Sequence, residues 1–415
     1  MTGQRAGSAD LPLHGGRVPP WLAERMSRLG AVICEAIVHE YGRHELLRRL
    51  AHPFWFQSLG AVMGMDWHSS GITTSVIGAL KRGLAPMHSE LGLYVCGGRG
   101  RHSRKTPQEL TEIGERTGFD GGALARASRL VAKVDSAAVQ DGYALYLHGF
   151  IVAEDGAWTV VQQGMNPELK YARRYHWLSE GLKSFVDEPH SAIEGPSGGT
   201  IVNLADHRAA RSRAAQLELL TELGPGGILR ELSAFEQCAP AVQPVLPHLQ
   251  LPPHHDVRSG DVVLRRLHGS LAAAAERGPG DFESLLLVPG VGARTVESLA
   301  LVAEVLHGAP CRFSDPARFS FAHGGKDGHP FPVPVAVYDE TIRTLKSAVR
   351  KAKLGHSEEL AAVRRLDAQA RMLEEHASGA SWEQLVSVQR EHSYLYGGRT
   401  VMGSAAREKG GARQT

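Results

Sequence analysis

The spacing of apolar residues predicts helices in the first part of the chain. Between residues 21 and 50, apolar side chains recur at intervals of three or four: Leu22, Met26, Leu29, Ile33 and Ile37. This is the period of one face of an α-helix. A second helix is predicted from about Thr74 to Arg82, after a glycine- and hydroxyl-rich turn at 68–74.

Farther along, the pattern changes to a period of two. The segment LGLYVCGG, from Leu91, predicts a short buried strand ended by glycines. An Asp155-Gly156 turn separates two alternating segments and predicts a hairpin of strands Ala144–Ala153 and Trp158–Gln163. Between these regions, RGRHSRKTP predicts a basic loop, followed by helices at about 107–118 and 121–138.

The patterns together predict an α+β fold class in two domains. An α+β domain that processes nucleic acid is expected over 11–204 and a helical domain over 205–395, because almost every pattern after Asp206 is helical. Flexible segments are expected at 1–10 and in the basic tail 396–415.

Charge and cysteine content narrow the functional classes. The 46 Lys and Arg against 44 Asp and Glu give a formal net charge of +2, which excludes binding of polyanions by total charge alone. Positive charge is instead concentrated at 99–105, 170–174 and 343–353. The four cysteines have no zinc-site spacing, the first twenty residues lack the apolar segment typical of a signal peptide, and no apolar run reaches membrane-spanning length. A cytoplasmic protein without a membrane partner is expected.

Residues 281–307 carry the most specific motif. Two amphipathic helices flank Pro289-Gly290-Val291-Gly292, and the pattern resembles the helix-hairpin-helix of DNA repair proteins. Glycines allow close approach to a phosphate, and the amides at the start of the second helix point toward an anion. The DNA-binding candidates are Gly290, Gly292, Arg294 and Thr295. The alternative is a tight interhelical turn without a ligand.

The region after this motif resembles the helix-hairpin-helix base-excision glycosylases, which have a catalytic aspartate at the start of the following helix. The resemblance assigns that role to Asp339 in YDETIRTLKSAVRKA. Two features differ: Arg294 stands where bifunctional members have a Schiff-base lysine, and Asp339 lies 45 residues beyond it. The alternative role for Asp339 is an N-cap.

A second group of candidates lies in the N-terminal half. The segment GMDWHSSGITT brings Asp66 and His68 into one turn, where they can share a metal or act as base and orienting group. The alternative is helix capping with a buried histidine. Asp141 and Gln163 complete the candidate catalytic residues; Asp155 is explained by its turn.

Basic residues supply the candidate phosphate contacts. The glycine-bearing segment 96–107 contributes Arg99, Arg101, Arg104 and Lys105. The segment YARRYHW adds Arg173 and Arg174 among aromatic residues, which suits stacking on unpaired bases. Its alternative is a strand edge whose long side chains cover apolar surface.

Six strings together resemble the uncharacterised domain-of-unknown-function family seven-six-three: DWHSSGITT, GGRG-HSRKTP, VVQQGMN, ARRYHW, EPHSAI and HGGKDGHPFPVP. The resemblance spans about residues 10–375 and implies no settled chemistry.

These features favour a DNA-processing enzyme, most of all a nuclease that acts on damaged, structured or single-stranded DNA. A divalent metal, Mg²⁺ or Mn²⁺, near Asp66 and His68 would polarise the phosphate, and no organic cofactor is indicated. The alternatives are a DNA glycosylase that uses Asp339 and a non-enzymatic nucleic-acid-binding scaffold. RNA remains open as the partner, because stacking residues do not distinguish sugars.

Overall fold

The computed structural model describes residues 11–12, 20–65, 70–237, 264–317, 335–351, 360–366, 368, 391, 399–400 and 403–404. The helices are α1 Pro20–Tyr41, α2 Arg43–Ala51, α3 Pro53–Val62, α4 Ile72–Leu84, α5 His88–Leu91, α6 Arg101–Thr117, α7 Gly121–Lys133, α8 Ala210–Glu222, α9 Gly224–Gln237, α10 Leu264–Arg277, α11 Phe282–Leu287, α12 Ala293–His307 and α13 Val335–Lys351. The strands are β1 Leu11–Pro12, β2 Leu93–Arg99, β3 Val139–Gln140, β4 Ala144–Ala153, β5 Trp158–Asn166, β6 Tyr171–Leu178, β7 Ala192–Glu194, β8 Thr200–Asn203, β9 Arg312–Ser314, β10 Arg399–Thr400 and β11 Gly403–Ser404.

An antiparallel sheet of six strands forms the middle layer. Its strand order is β1-β6-β5-β4-β2, and β7 pairs with the same strand, β6, as β1 does. The hairpin predicted around Asp155-Gly156 is confirmed, because β4 and β5 pair from Val152↔Trp158 to Ala144↔Met165. A smaller antiparallel sheet has the order β3-β8-β9. The mixture of helices with antiparallel sheets agrees with the predicted α+β class.

Helices cover both faces of the large sheet. On the first face, Phe150, Val160 and Trp177 join a hydrophobic core with α6, α7 and α8–α12. On the second face, Leu147 and Val161 join a separate core with α1–α4 and α13. Alternate residues of each strand serve the two cores, as the strand period of two requires.

The first core crosses the expected boundary at residue 204. It contains residues of the sheet together with residues of α8–α12, and β9 pairs with β8. Helices α11 and α12 flank the Pro289-Gly292 turn within this core. The segment 1–10 lies outside the described residues, and of 396–415 only β10, β11 and their pairing are described.

Two helical segments differ from their predictions. The helix expected over 21–50 is interrupted at Gly42, which has φ +86° and separates α1 from α2. The basic segment predicted as a loop is the beginning of α6, which starts at Arg101 and contains Pro107. Proline removes the backbone donor to the Ser103 carbonyl, and the Thr106 hydroxyl donates to that carbonyl at 2.8 Å instead.

The described cysteines are structural. Cys34, Cys96 and Cys311 are free and buried, and burial raises the pKa of each thiol to about 12. Cys238 lies outside the described residues. None of the helices in the described ranges has the length and hydropathy needed to cross a membrane.

Candidate functional site

Asp66 and His68 lie outside the described residues, but both ends of their loop are described. The Met65 amide donates to the Gly60 carbonyl at 3.0 Å, at the end of α3. At the other end, the Ser70 carbonyl accepts a hydrogen bond of 3.2 Å from Gln163 Nε2. Ser70, the first described residue after Asp66 and His68, therefore contacts the predicted site residue Gln163.

The predicted residues of β5 and β6 point alternately to the two faces of the sheet. Gln163 and Arg174 are register partners on the second face, where Gln163 bonds Ser70 and Arg174 bonds Gln57 of α3. Gln162 and Arg173 bond to groups of the first face. The structure thus separates candidates that are adjacent in the sequence into two different environments.

Four side chains on the second face form a line across the strands, here called the polar row: Tyr146, Gln163, Arg174 and Glu194. The Tyr146 hydroxyl donates to Gln163 Oε1 at 2.9 Å. Arg174 is opposite Gln163 on one side and Glu194 on the other. At the β2 end, the Arg99 guanidinium lies 5.8 Å from the Tyr146 ring centroid.

Arg174 is the centre of the polar row and is fully buried. Its Nε donates to Glu194 Oε2 at 2.8 Å, and its Nη2 donates to the same carboxylate and to Gln57 Oε1 at 2.6 Å. Its Nη1 has no hydrogen-bond partner within the described part of the chain, and neither has Glu194 Oε1. Burial raises the pKa of Glu194, and the attraction of Arg174 opposes that shift.

His176 lies on the same face, two residues beyond Arg174. Its Nδ1 is 3.3 Å from the Leu50 carbonyl, which can only accept, so Nδ1 carries the proton. Its buried Nε2 has no partner among the described residues and retains a free lone pair. Burial, assisted by the charge of Arg174, holds the pKa of His176 well below its usual value. The polar row therefore lies beside a neutral imidazole.

The first face carries a different cluster, in which one π-helical turn, Val134–Ala138, presents the buried Asp135. Its Oδ2 accepts from Gln162 Nε2 and from Trp177 Nε1, and its Oδ1 lies 2.5 Å from His190 Nε2. Gln162 Oε1 in turn bonds His148 Nδ1 at 2.6 Å. These residues bond chiefly to one another.

Asp141, a predicted catalytic residue, belongs to this face. Arg173 Nη1 donates to Asp141 Oδ2 at 2.8 Å, and its two Nη atoms bridge to Asp315 at 3.0 and 2.7 Å. Burial raises the pKa of Asp141 and Arg173 opposes the shift. Both residues are buried within an ion pair, contrary to the expectation that Arg173 lies on a phosphate-binding surface. Arg174 is likewise internal.

The other predicted cations remain at the surface. Arg99, Arg101, Arg104 and Lys105, here called the basic cluster, are exposed around the first turns of α6. Gly100, directly before α6, has φ +60° and donates its amide to the Tyr146 carbonyl at 2.8 Å. The basic cluster therefore adjoins the Tyr146 end of the polar row.

The Pro289-Gly292 turn lies on the first-face side. Lys133 Nζ donates to the Val291 carbonyl, and Gln140 Nε2 donates to the Ala293 carbonyl at 3.0 Å. Gly290 is exposed, with φ +91°, and Gly292 is partly exposed. Arg294 is exposed, but Thr295 is buried and does not offer its hydroxyl to a ligand at the surface.

Asp339 is not at the beginning of its helix. The helix α13 starts at Val335, directly after Pro334, so residue 339 lies in its second turn rather than at an N-cap. The helix packs against α1 and α3, across the large sheet from α11 and α12. Nothing is described of the Asp339 side chain.

Two groups of possible metal ligands occur among the described residues: Glu35, His39 and Glu90, and Glu188, Asp206 and His207. Within each group the ligand atoms lie within 4.8 Å of one another. Neither group includes a predicted site residue, and exposed acidic groups commonly occur without a metal.

Comparison with known proteins identifies the family. A family model described as "Protein of unknown function (DUF763)" matches residues 7–333. The chain belongs to the DUF763 family. No curated protein and no solved structure matches it. The matched region of this DUF763 chain contains the polar row, the basic cluster and the Pro289-Gly292 turn, but ends before α13.

Sequence reasoning on this DUF763 chain missed three residues of the site: Tyr146, Glu194 and Gln57. Tyr146 is displaced by a register shift between Leu145 and Leu147, so simple alternation does not assign its face. Glu194 and Gln57 reach Arg174 from a three-residue strand and from α3. A buried arginine needs a carboxylate partner, and this rule is the only signal that points to Glu194.

Proposed function

We propose that this chain is a DNA-processing enzyme that hydrolyses phosphodiesters, with its active centre where Ser70 contacts the polar row. In this proposal the helices α11 and α12 with the turn between them hold the DNA backbone. The first face of the large sheet supports the site but does not react.

The observation that carries the proposal is the state of Arg174. Its Nη1 is buried and has no partner among the described residues. An unsatisfied buried donor costs about 1–3 kcal/mol, and such groups call for an explanation such as a ligand or an unseen water. Guanidinium N–H groups suit phosphate oxygens. Because Arg174 is fully buried, a phosphate oxygen would have to enter the polar row to satisfy this donor.

The neighbouring groups have the chemistry that phosphodiester hydrolysis needs. Gln163 bonds Ser70, four residues beyond Asp66 and two beyond His68. A divalent metal held by Asp66 and His68 would polarise the phosphate and lower the pKa of a bound water. Arg174 would oppose the charge that develops on the phosphate, and the neutral His176 Nε2 would accept a hydrogen bond from water.

Two surfaces favour nucleic acid over a smaller phosphate ester. The basic cluster continues from the Tyr146 end of the polar row into solvent, where exposed cations attract a polyanion. The Pro289-Gly292 turn has its Val291 and Ala293 carbonyls fixed by Lys133 and Gln140. This anchoring holds the turn in one conformation for contact with a backbone phosphate.

The test is cleavage of end-labelled single-stranded, duplex and junction DNA by the full-length chain, with Mg²⁺, Mn²⁺ or EDTA. We expect metal-dependent nicking that falls about a hundredfold or more in Asp66→Ala and in Arg174→Lys. The matched control is Asp155→Asn, in the β4–β5 turn at the opposite end of β5 from Gln163, which should cleave like the native chain. Absence of cleavage with every substrate and both metals would refute the proposal.

The same products distinguish the alternatives. An abasic site on an intact strand, formed in EDTA and lost in Asp339→Asn, would identify a glycosylase instead. Salt-sensitive binding without a covalent product would identify a scaffold.

A further inference from the structure

Two large apolar side chains are exposed to solvent near the end of β5 and in the turn that follows it, residues 167–170. Leu169 is 48% exposed, and Met165, at the end of β5, is 37% exposed. Scattered exposed hydrophobic residues are ordinary, but these two are four positions apart, one near the end of a strand and the other in the turn after it. Neither contributes to the cores on the two faces of the sheet.

The turn is held rigidly by Asn166. This side chain is buried, and its Oδ1 accepts the amides of Glu168 and Leu169, each at 3.0 Å. Backbone pairing of Asn166 with Tyr171 closes the turn. Leu169 is thus presented on an ordered backbone, which reduces the entropy lost when it binds a partner.

The location of the turn indicates what that partner is. Met165 is opposite Ala144 in β4, at the end of the sheet where Gly100 bonds Tyr146 and α6 begins. Alternation along β5 directs Met165 to the same face as Gln163. Met165, Leu169 and the basic cluster therefore lie at the same end of the sheet.

We infer that Met165 and Leu169 form an apolar wedge that packs against an unpaired nucleobase, while the basic cluster holds the adjacent phosphates. The inference rests on the proposed function in taking a nucleic acid as the ligand, and it adds the structural class of the substrate. Apolar side chains inserted beside bases unstack them, and base stacking on protein side chains tolerates any sequence. A strand end, gap or junction offers such a base, whereas a continuous duplex does not.

The test uses 2-aminopurine placed at the unpaired position of a gapped oligonucleotide, with a fully paired duplex for comparison and no metal, so that cleavage is not required. We expect the native chain to raise the 2-aminopurine fluorescence by displacing its stacked neighbours. Leu169→Ser and Met165→Ser should lose that rise and bind the gapped substrate about tenfold more weakly. Their affinity for the paired duplex should change less than about twofold.

The control is Leu223→Ser, an exposed apolar residue between α8 and α9, which should behave like the native chain. The substituted positions are exposed, and circular dichroism checks that each variant is folded.

A parallel set of RNA oligonucleotides tests whether the chain prefers ribose or deoxyribose. Loss of the fluorescence rise in the Leu169→Ser and Met165→Ser variants, with either DNA or RNA, supports the wedge. Unchanged fluorescence and affinity in both wedge variants would overturn the wedge alone. Failure of the native chain to bind any oligonucleotide would overturn the wedge and the nucleic-acid function together.

Discussion

The two faces of the large sheet use neighbouring residues for different purposes. On the first face, both oxygens of Asp135, Asp141 and Asp315 have hydrogen-bond donors, and Arg173 Nε is the atom of this network that lacks a partner among the described residues. On the second face, Arg174 Nη1, Glu194 Oε1 and His176 Nε2 lack partners among the described residues. Buried polar atoms without partners are places where a ligand can bind, and the second face brings three of them together, on Arg174 and its neighbours Glu194 and His176. The second face is therefore where we locate the chemistry.

The largest expected effect comes from removing the buried cation of the first face. Arg173→Met leaves Asp141 and Asp315 buried without their counter-charge, and should lower the free energy of unfolding by about 3–5 kcal/mol. Arg174→Met removes the counter-charge of one carboxylate, Glu194, and should lower it less. Denaturant titration of both variants measures the difference. Equal losses, or a larger loss in Arg174→Met, would contradict the contrast between the faces.

The adjacent glutamines offer a finer comparison. Gln162→Leu leaves His148 Nδ1 without its partner and removes a donor from Asp135, so unfolding should become easier by about 2–3 kcal/mol. Gln163→Leu removes bonds to Tyr146 and Ser70 and should cost about 1 kcal/mol. Cleavage should show the reverse order, with a loss of about a hundredfold in Gln163→Leu. Denaturant titration and nicking assays on the same preparations measure stability and activity in both variants. If the variant that loses more stability also loses more activity, the two faces do not differ in function as proposed.

The smallest effect is a pH dependence caused by His176. Its pKa is lowered by burial in the folded chain, whereas the unfolded chain binds a proton near its ordinary pKa of about 6.5. The stabilising contribution is therefore complete above that pH and is lost as the pH falls below it, by up to about 1.4 kcal/mol per pH unit. Denaturant titrations between pH 5 and 7 should show a shallower slope in His176→Gln than in the native chain. The exposed His39→Gln is the control, and an unaltered slope in His176→Gln would disprove the assignment.

Features governed by local sequence were predictable. The Asp155-Gly156 turn specified the β4–β5 hairpin, because a tight turn and two alternating strands need only adjacent residues. The beginning of α6 was missed because Pro107 indicates a helix start, while the side chain that replaces its missing donor, Thr106, has no distinctive pattern. The helical break at Gly42 was missed because apolar residues at helical spacing occur both before and after it.

The site was predictable in part. Ser70 contacts Gln163, Arg99 lies over the Tyr146 ring that bonds Gln163, and Ser70, Gln163 and Arg99 were each indicated by residue type. Burial of Arg173 and Arg174 was not foreseen, because a strand with YARRYHW looks like an exposed basic edge until its neighbours are known. Their partners Asp315 and Glu194 are distant in sequence or lie on a short strand. Such pairings depend on tertiary packing, which residue spacing does not encode.

The bond between Arg173 and Asp315 has a consequence for the synthesis of the chain. The two residues are 142 positions apart, so β6 leaves the ribosome long before the second carboxylate that neutralises its buried arginine. Contacts of such sequence separation slow folding, and a nascent chain that ends before β9 also lacks the outer strand of the small sheet. The first half of the protein should therefore acquire its final stability only after residue 315 has emerged, and shortened chains that end at 204 should be prone to aggregation.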